Sequence, residues 1–133
     1  GAIHRAAGPE LLAECRRLGG CNTGEAKITK GYHLPAKYVI HAVGPVWRGG
    51  IMGEPELLAG CYRNALSIAN SKGLDSIAFP AISTGAYGYP LERATRIAVR
   101  ECMDFQDQHE APQLIIFACL DQLSAEMYQA LIG

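Results

Sequence analysis

The chain has 133 residues, of which 49% are hydrophobic and 19% charged, so it has the length and composition of one folded domain with one core. Its net charge of −1 gives no signal for nucleic acid or for an anionic membrane, and no apolar run is long enough to span a bilayer. The five cysteines include no CxxC pair, which predicts free thiols in the reducing cytoplasm.

Two helices are predicted at the start of the chain. Residues 1–7 have the pattern of a helical turn, Gly8 interrupts it, and Pro9 suits the first position of a new helix. Gly19 and the glycine after it end that second helix. Its apolar face comprises Leu11, Leu12, Cys15 and Leu18.

Strands alternate with amphipathic helices in the rest of the chain. We predict strands at residues 25–29, 37–43, 76–80 and 113–119, and helices that begin near residues 54, 91 and 121. This alternation predicts an α/β fold with a largely parallel sheet between helix layers. The near-continuous apolar run at 113–119 indicates a strand that is covered on both faces.

The stretch AISTGAYGYP at residues 81–90 joins the third predicted strand to the helix after it. A turn of this kind leaves main-chain N–H groups free near the positive end of a helix dipole, as in anion-binding sites. Gly85 and Gly88 lack a Cβ and would admit phosphate oxygens, while Tyr87 and Tyr89 offer flat surfaces for a sugar or a base. An ordinary tight turn stays the alternative, because the Rossmann and Walker spacings are absent.

Ligands of parallel sheets bind outside the C-terminal ends of the strands. Three loops leave such ends, at residues 44–47, 82–89 and 120–121, and we expect them to line one cleft. No two histidines have metal-ligand spacing, so we predict no metal site. The hydroxyls of Ser83 and Thr84 are better suited to donate hydrogen bonds to a phosphate than to act as nucleophiles, because no Gly-x-Ser-x-Gly elbow surrounds them.

Three segments resemble the macro domain family, in particular its MacroD-like branch, which includes bacterial O-acetyl-ADP-ribose deacetylases. They are GAIHRAAG at residues 1–8, HAVGPVW at 41–47 and FPAISTGAYGYP at 79–90. The resemblance covers nearly all of the chain. It implies a single macro domain at residues 1–133, with a three-layer α/β/α fold around a mixed, largely parallel sheet.

The resemblance also implies a site for ADP-ribose. In it, the backbone of residues 82–87 cradles the diphosphate, Tyr87 packs on the distal ribose, and Gly44 and Pro45 wall the cleft near the scissile bond. His4 lies in the family's first catalytic segment, where it would orient the ribose or a water molecule. The implied ligand-binding residues are Gly1, Ala2, Ile3, Gly44, Pro45, Ala81, Ile82, Ser83, Thr84, Gly85, Ala86, Tyr87 and, on the adenine side, Leu120 and Asp121.

The activity implied by the resemblance is hydrolysis of an ester at the distal ribose. Substrates would be O-acetyl-ADP-ribose, or proteins that carry mono-ADP-ribose on acidic side chains. We expect a monomeric hydrolase that needs no metal and no cofactor. Two alternatives stay open, a reader module that binds ADP-ribose without cleaving it and a phosphatase that acts on ADP-ribose 1″-phosphate.

The chain departs from the family pattern at its start. The family has an upstream strand with an Asp near the adenine, an Asn-Ala-Ala-Asn strand end, and an Asp before the residue that matches Gly1; the last is assigned to activating the water. None of these is in this sequence. We therefore expect the chain to be the downstream part of a longer molecule, with an upstream strand completing the sheet between the strands at 37–43 and 113–119.

Overall fold

The computed structural model describes the backbone of residues 2–132 and the side chains of residues 4–132. Helices and strands alternate after two initial helices, as predicted. The elements are α1 (Ala2–Ala7), α2 (Pro9–Leu18), β1 (Ala26–Lys30), β2 (Tyr38–Ala42), α3 (Glu54–Ser71), β3 (Ser76–Phe79), α4 (Leu91–Gln108), β4 (Leu114–Phe117) and α5 (Gln122–Ile132).

The four described strands form two hydrogen-bonded pairs. Strands β1 and β2 are antiparallel, with Ile28 opposite Ile40, and β3 and β4 are parallel, with Ile77 opposite Ile115. Both strand directions are therefore present, as predicted for a mixed sheet. In the described part of the chain, however, no ladder joins β2 to β3.

The β1–β2 pair lies between two helix layers. Its Ala26 and Ile40 side chains pack on the core that α3 and α4 supply. On the other face, His41 contacts Cys15 of α2, and Lys27 Nζ donates a hydrogen bond to the Leu18 carbonyl oxygen at 2.9 Å. The three-layer order of helix, sheet and helix is present in this half of the molecule.

The core lies beneath the β3–β4 pair. Phe79 packs on Tyr62 of α3 with ring centroids 4.9 Å apart, and Phe117 packs on Tyr128 of α5 at 4.4 Å. Phe105 of α4 closes the same cluster. This cluster fixes the end of β3, which is the point from which the candidate site begins.

The opposite face of the β3–β4 pair is open. Leu114 and Ile116 are 54% and 47% exposed, so the prediction that β4 is covered on both faces is wrong for the described chain. A cavity of about 540 Å³ also separates β2 from β3, and successive residues of both strands line it. The two pairs therefore stand beside each other with a gap along their facing edges.

The cysteines are free thiols, as predicted. Burial raises the pKa of Cys61 to about 11 and that of Cys102 to about 12, so both are poor nucleophiles at neutral pH. None of the helices described between residues 2 and 132 combines the length and the hydropathy that a membrane span requires.

Candidate functional site

The loop between β3 and α4 has an irregular, internally bonded backbone. Ser83 has a φ of 68°, which is uncommon for a residue with a side chain, and Gly88 has a φ of 74°. The Tyr89 N–H donates to the Ser83 carbonyl oxygen at 2.9 Å, and the Gly88 N–H donates to the Gly85 carbonyl oxygen at 3.0 Å. These bonds hold residues 83–89 in a closed turn.

The same loop leaves hydrogen-bond donors free. The main-chain N–H groups of residues 83–87 donate to no other described group, and no side chain caps the N-terminus of α4. The Ser83 hydroxyl is buried and has no partner among the described residues. Several free amides before a helix N-terminus form an anion-binding site.

The loop after β2 is packed against this turn, as predicted. Gly44 and Pro45 are buried, and a Cβ added at Gly44 would overlap Ser83 Oγ, so only glycine permits this approach. The Trp47 N–H donates to the Tyr87 carbonyl oxygen at 2.8 Å. Two of the three predicted cleft loops are therefore in contact.

The third predicted loop is not brought to these two by any described contact. Leu120 is fully exposed. Asp121 Oδ1 accepts the Ser124 N–H at 2.7 Å and caps α5, and this hydrogen bond lowers the pKa of the Asp121 carboxyl. This cap agrees with the predicted start of a helix near residue 121, while an adenine-side role for Leu120 and Asp121 stays a prediction.

The two tyrosines of the loop differ in exposure. Tyr87 is 44% exposed and available to a ligand, whereas Tyr89 is 3% exposed. The Tyr89 ring packs on Trp47 with centroids 4.6 Å apart, and the Arg93 guanidinium lies 5.6 Å from the Trp47 ring centre. The prediction that Tyr89 offers a ligand surface is wrong, because its ring is used to join the two loops.

Glu54 organises the loop of residues 48–53, a role that the sequence analysis missed. Its carboxylate is 2% exposed and accepts the N–H groups of Arg48 at 2.8 Å, Gly50 at 2.9 Å and Met52 at 2.6 Å. Burial alone would raise its pKa, but these hydrogen bonds prevail and lower the pKa of Glu54 to about 2. An acidic residue directly after a glycine-rich loop is the sequence signal that could have indicated this role.

His4 lies in α1, where its Nδ1 atom is buried and without a partner among the described residues. It is close to His41, whose pKa is lowered by burial and by the nearby His4. His41 Nε2 lies 2.9 Å from Thr29 Oγ1, which agrees with a structural role for His41. No described contact joins His4 to the loop of residues 81–87.

The remaining predicted site residues lie in or before α1. Ala2 and Ile3 belong to that helix, and Gly1 lies outside the described residues. Among residues 2–132 there is no group of three or more His, Cys, Asp and Glu side chains that could hold a metal ion.

The cavity between β2 and β3 does not coincide with the candidate site. The gap between β2 and β3 touches the loop only through Pro80 and Ile82, and no charged side chain lines it. An anionic ligand requires hydrogen-bond donors, and these lie on residues 83–87. The hydrogen-bond donors therefore lie at the loop and not in the cavity.

The family model, the relatives and the solved structure that match this chain agree with one another. The sequence model of the macro domain family matches residues 1–98. A macro domain-containing protein of Methanosarcina mazei is 59% identical over 95% of this chain and 67% of its own length. The O-acetyl-ADP-ribose deacetylase of Cronobacter sakazakii is 50% identical over 100% of this chain and 76% of its own length.

A solved structure has the same fold. It is a mutant of the Oceanobacillus iheyensis macrodomain with ADPR, which is 42% identical and aligns with a TM-score of 0.93 over 99% of this chain and 74% of its own chain. This agreement confirms the predicted α/β macro fold. The chain belongs to the macro domain family.

Proposed function

We propose that the chain binds ADP-ribose over the joined loops of residues 44–45 and 82–87 and hydrolyses an ester at the distal ribose. O-acetyl-ADP-ribose is the favoured substrate, and ADP-ribose esterified to acidic side chains of proteins is the second. A deacetylase at 50% identity supports the reaction, and a structural neighbour with ADPR supports the ligand.

One observation carries the binding part of this proposal. The free N–H groups of residues 83–87 form a compact set of donors at the start of α4. A diphosphate supplies the acceptors and the negative charge that such a set favours. Gly85 suits a close approach, because a Cβ built there meets nothing in the protein within 4 Å and would occupy the ligand's space.

The chemistry requires water and a positioned ester. Water adds to the acyl carbon, the bond from that carbon to the ribose oxygen breaks, and the products are acetate and ADP-ribose. The diphosphate clamp and the exposed Tyr87 ring would hold the ribose in place, and main-chain donors would stabilise the developing charge. His4 is the residue on this chain that we assign to orienting the water.

A reader function is the second candidate. It is favoured by the lack of a described contact between His4 and the loop of residues 81–87. A module that only binds ADP-ribose would need the donor set and Tyr87 but no group close to the ester. Binding and hydrolysis therefore have to be measured separately.

Calorimetric titration with ADP-ribose tests the site, and mass spectrometry of O-acetyl-ADP-ribose after incubation tests the reaction. Binding with release of acetate supports the proposal. Binding without hydrolysis supports the reader, and inorganic phosphate released from ADP-ribose 1″-phosphate supports the phosphatase. Absence of binding would show that the donor set does not serve ADP-ribose.

A further inference from the structure

A series of contacts joins the buried Glu54 carboxylate to the loop that carries the free amides. It begins before α3, where the carboxylate accepts the N–H groups of Arg48, Gly50 and Met52. Hydrogen bonds to an ionised acceptor are stronger than those between neutral groups. Three of them on alternate residues fix the backbone of residues 48–52.

Trp47 is the next member of this series. Gly50 lies against the edge of its ring, since a Cβ built on Gly50 would be 2.8 Å from the ring atom Cη2. The same ring packs on Tyr89 with centroids 4.6 Å apart, and the Arg93 guanidinium lies 5.6 Å from the ring centre. The Trp47 ring is therefore in contact with the segment that Glu54 holds and with residues at the start of α4.

The series ends on the main chain of the loop between β3 and α4. The Trp47 N–H donates to the Tyr87 carbonyl oxygen at 2.8 Å, and the Tyr89 N–H donates to the Ser83 carbonyl oxygen at 2.9 Å. Burial raises the pKa of the Tyr89 hydroxyl, and the nearby negative charge of Glu54 raises it further. A displacement of Trp47 would therefore act on this loop by two routes, its own N–H and the Tyr89 ring.

The geometry points to Glu54 as a positioning residue for the ligand site. Through Trp47 it holds the N–H groups of residues 83–87 and the Tyr87 ring in place, while its own carboxylate is satisfied by main-chain donors. This inference rests on the proposed function, in which those groups bind the diphosphate and the distal ribose. Small displacements of such groups are costly, because each donor must meet its acceptor at hydrogen-bond distance.

A purely structural role for Glu54 would have a different signature. Its hydrogen bonds stabilise the loop before α3 in either case, so a loss of stability alone does not identify a positioning residue. The affinity of fully folded protein does, because it responds only to the geometry of the site. Trp47 is the single tryptophan of the chain, and its fluorescence reports on the middle of the series of contacts.

The test combines Glu54→Gln with Trp47→Ala in a double-mutant cycle, on protein shown to be folded by circular dichroism. We expect each single variant to raise the Kd for ADP-ribose about tenfold, because the donors are displaced from the diphosphate. The double variant should bind no more weakly than the weaker single variant, because both changes break the same series of contacts.

Glu56→Gln is the matched control. Glu56 is an exposed acid in the same first turn of α3, and no described group bonds to its side chain. Its replacement should leave the Kd within about twofold of the parent value, as is usual for exposed positions.

A second variant perturbs the same contacts with Glu54 intact. Gly50→Ala places a methyl group against the Trp47 ring, and the φ of 86° at Gly50 adds backbone strain. It should shift the Trp47 fluorescence maximum and raise the Kd as Glu54→Gln does. This variant decides the inference if Glu54→Gln does not fold.

The other outcomes are also decisive. An unchanged Kd in folded Glu54→Gln, or additive losses in the double variant, would overturn the positioning role. If the parent chain does not bind ADP-ribose, the proposed function fails, and amide NMR spectra of the ligand-free proteins decide the positioning role by themselves. Glu54→Gln should then shift the amides of residues 83–89 while Glu56→Gln does not, and unshifted amides in both would overturn it.

Discussion

The loops at the ends of β2 and β3 are closely joined, whereas the strands that lead into them are separated. At the loops, Gly44 abuts Ser83 and the Trp47 N–H bonds to the Tyr87 carbonyl oxygen. Between the strands lies an apolar cavity of about 540 Å³. The two candidate-site loops of the described chain therefore contact each other directly, although no ladder joins the strands that lead into them.

The largest expected effect is on ligand binding at Gly85. We expect Gly85→Glu to abolish ADP-ribose binding, through steric overlap and through repulsion of the diphosphate. The fold should survive, because a Cβ at this position meets no protein atom within 4 Å. Calorimetry with ADP-ribose and thermal unfolding of the same sample provide the check.

An affinity within a few-fold of the parent would remove the phosphate role from this loop. Gly85→Ala is the smaller matched change and should weaken binding less than Glu does. Loss of folded protein in either variant would show that Gly85 serves the turn itself.

The two tyrosines of the loop should separate binding from stability. Tyr89→Ala should lower the free energy of unfolding by about 3–5 kcal/mol, as for other large buried aromatic residues, since Tyr89 is 3% exposed. Tyr87→Ala should leave stability nearly unchanged and weaken ADP-ribose binding by about 1–3 kcal/mol, with Phe substituting well. Urea unfolding and calorimetry measure the two quantities.

The reverse assignment, with Tyr87→Ala destabilising the fold and leaving the affinity unchanged, would make Tyr87 a core residue. A loss of binding by Tyr89→Ala at full stability would return Tyr89 to the ligand surface.

The gap between β2 and β3 should tolerate added volume that the core rejects. Ala78 of β3 lines the cavity, whereas Ala98 of α4 is fully buried in the core. We expect Ala98→Leu to lower the free energy of unfolding by about 1–3 kcal/mol, because overpacking strains the core. Ala78→Leu should be neutral or stabilising in the same urea titration, and an equal loss would show that the gap is already packed.

The last expected effect is on the pH dependence contributed by the Glu54 loop. Hydrogen bonds lower the pKa of Glu54 from an ordinary value of 4.5 to about 2. A carboxyl whose pKa is lower in the folded state stabilises that state above its unfolded pKa, and the contribution disappears as the pH falls through the folded pKa. Stability should therefore decrease between about pH 4.5 and pH 2, and Glu54→Gln should flatten this decrease. Identical pH profiles for both proteins would contradict the assignment.

Local patterns in the sequence predicted the helices and strands and the position of the loop at residues 81–90. The bounds of helix α2, Pro9–Leu18, were predicted because the start and the end of a helix depend on residues close in sequence. Pro9 suits the first position, and Gly19 adopts a φ of 74° after the last one. The contact between residues 44–47 and 82–89 was also predicted, because both segments leave the same ends of their strands.

Features that depend on distant partners were not predicted. The burial of Tyr89 requires Trp47, and the function of Glu54 requires the backbone of the loop before it. The exposure of Leu114 and Ile116 depends on what covers that face, which apolar patterning alone does not specify. The strand expected between β2 and the β3–β4 pair stays a prediction.

The central claim is that the free amides of residues 83–87 bind the diphosphate of ADP-ribose. An amide-resolved NMR titration with ADP-ribose tests it most directly. We expect the largest shifts at the amides of Ser83, Thr84, Gly85, Ala86 and Tyr87, with little change at residues 38–42 along the gap. Saturable shifts confined to the gap, with residues 83–87 unchanged, would contradict the account.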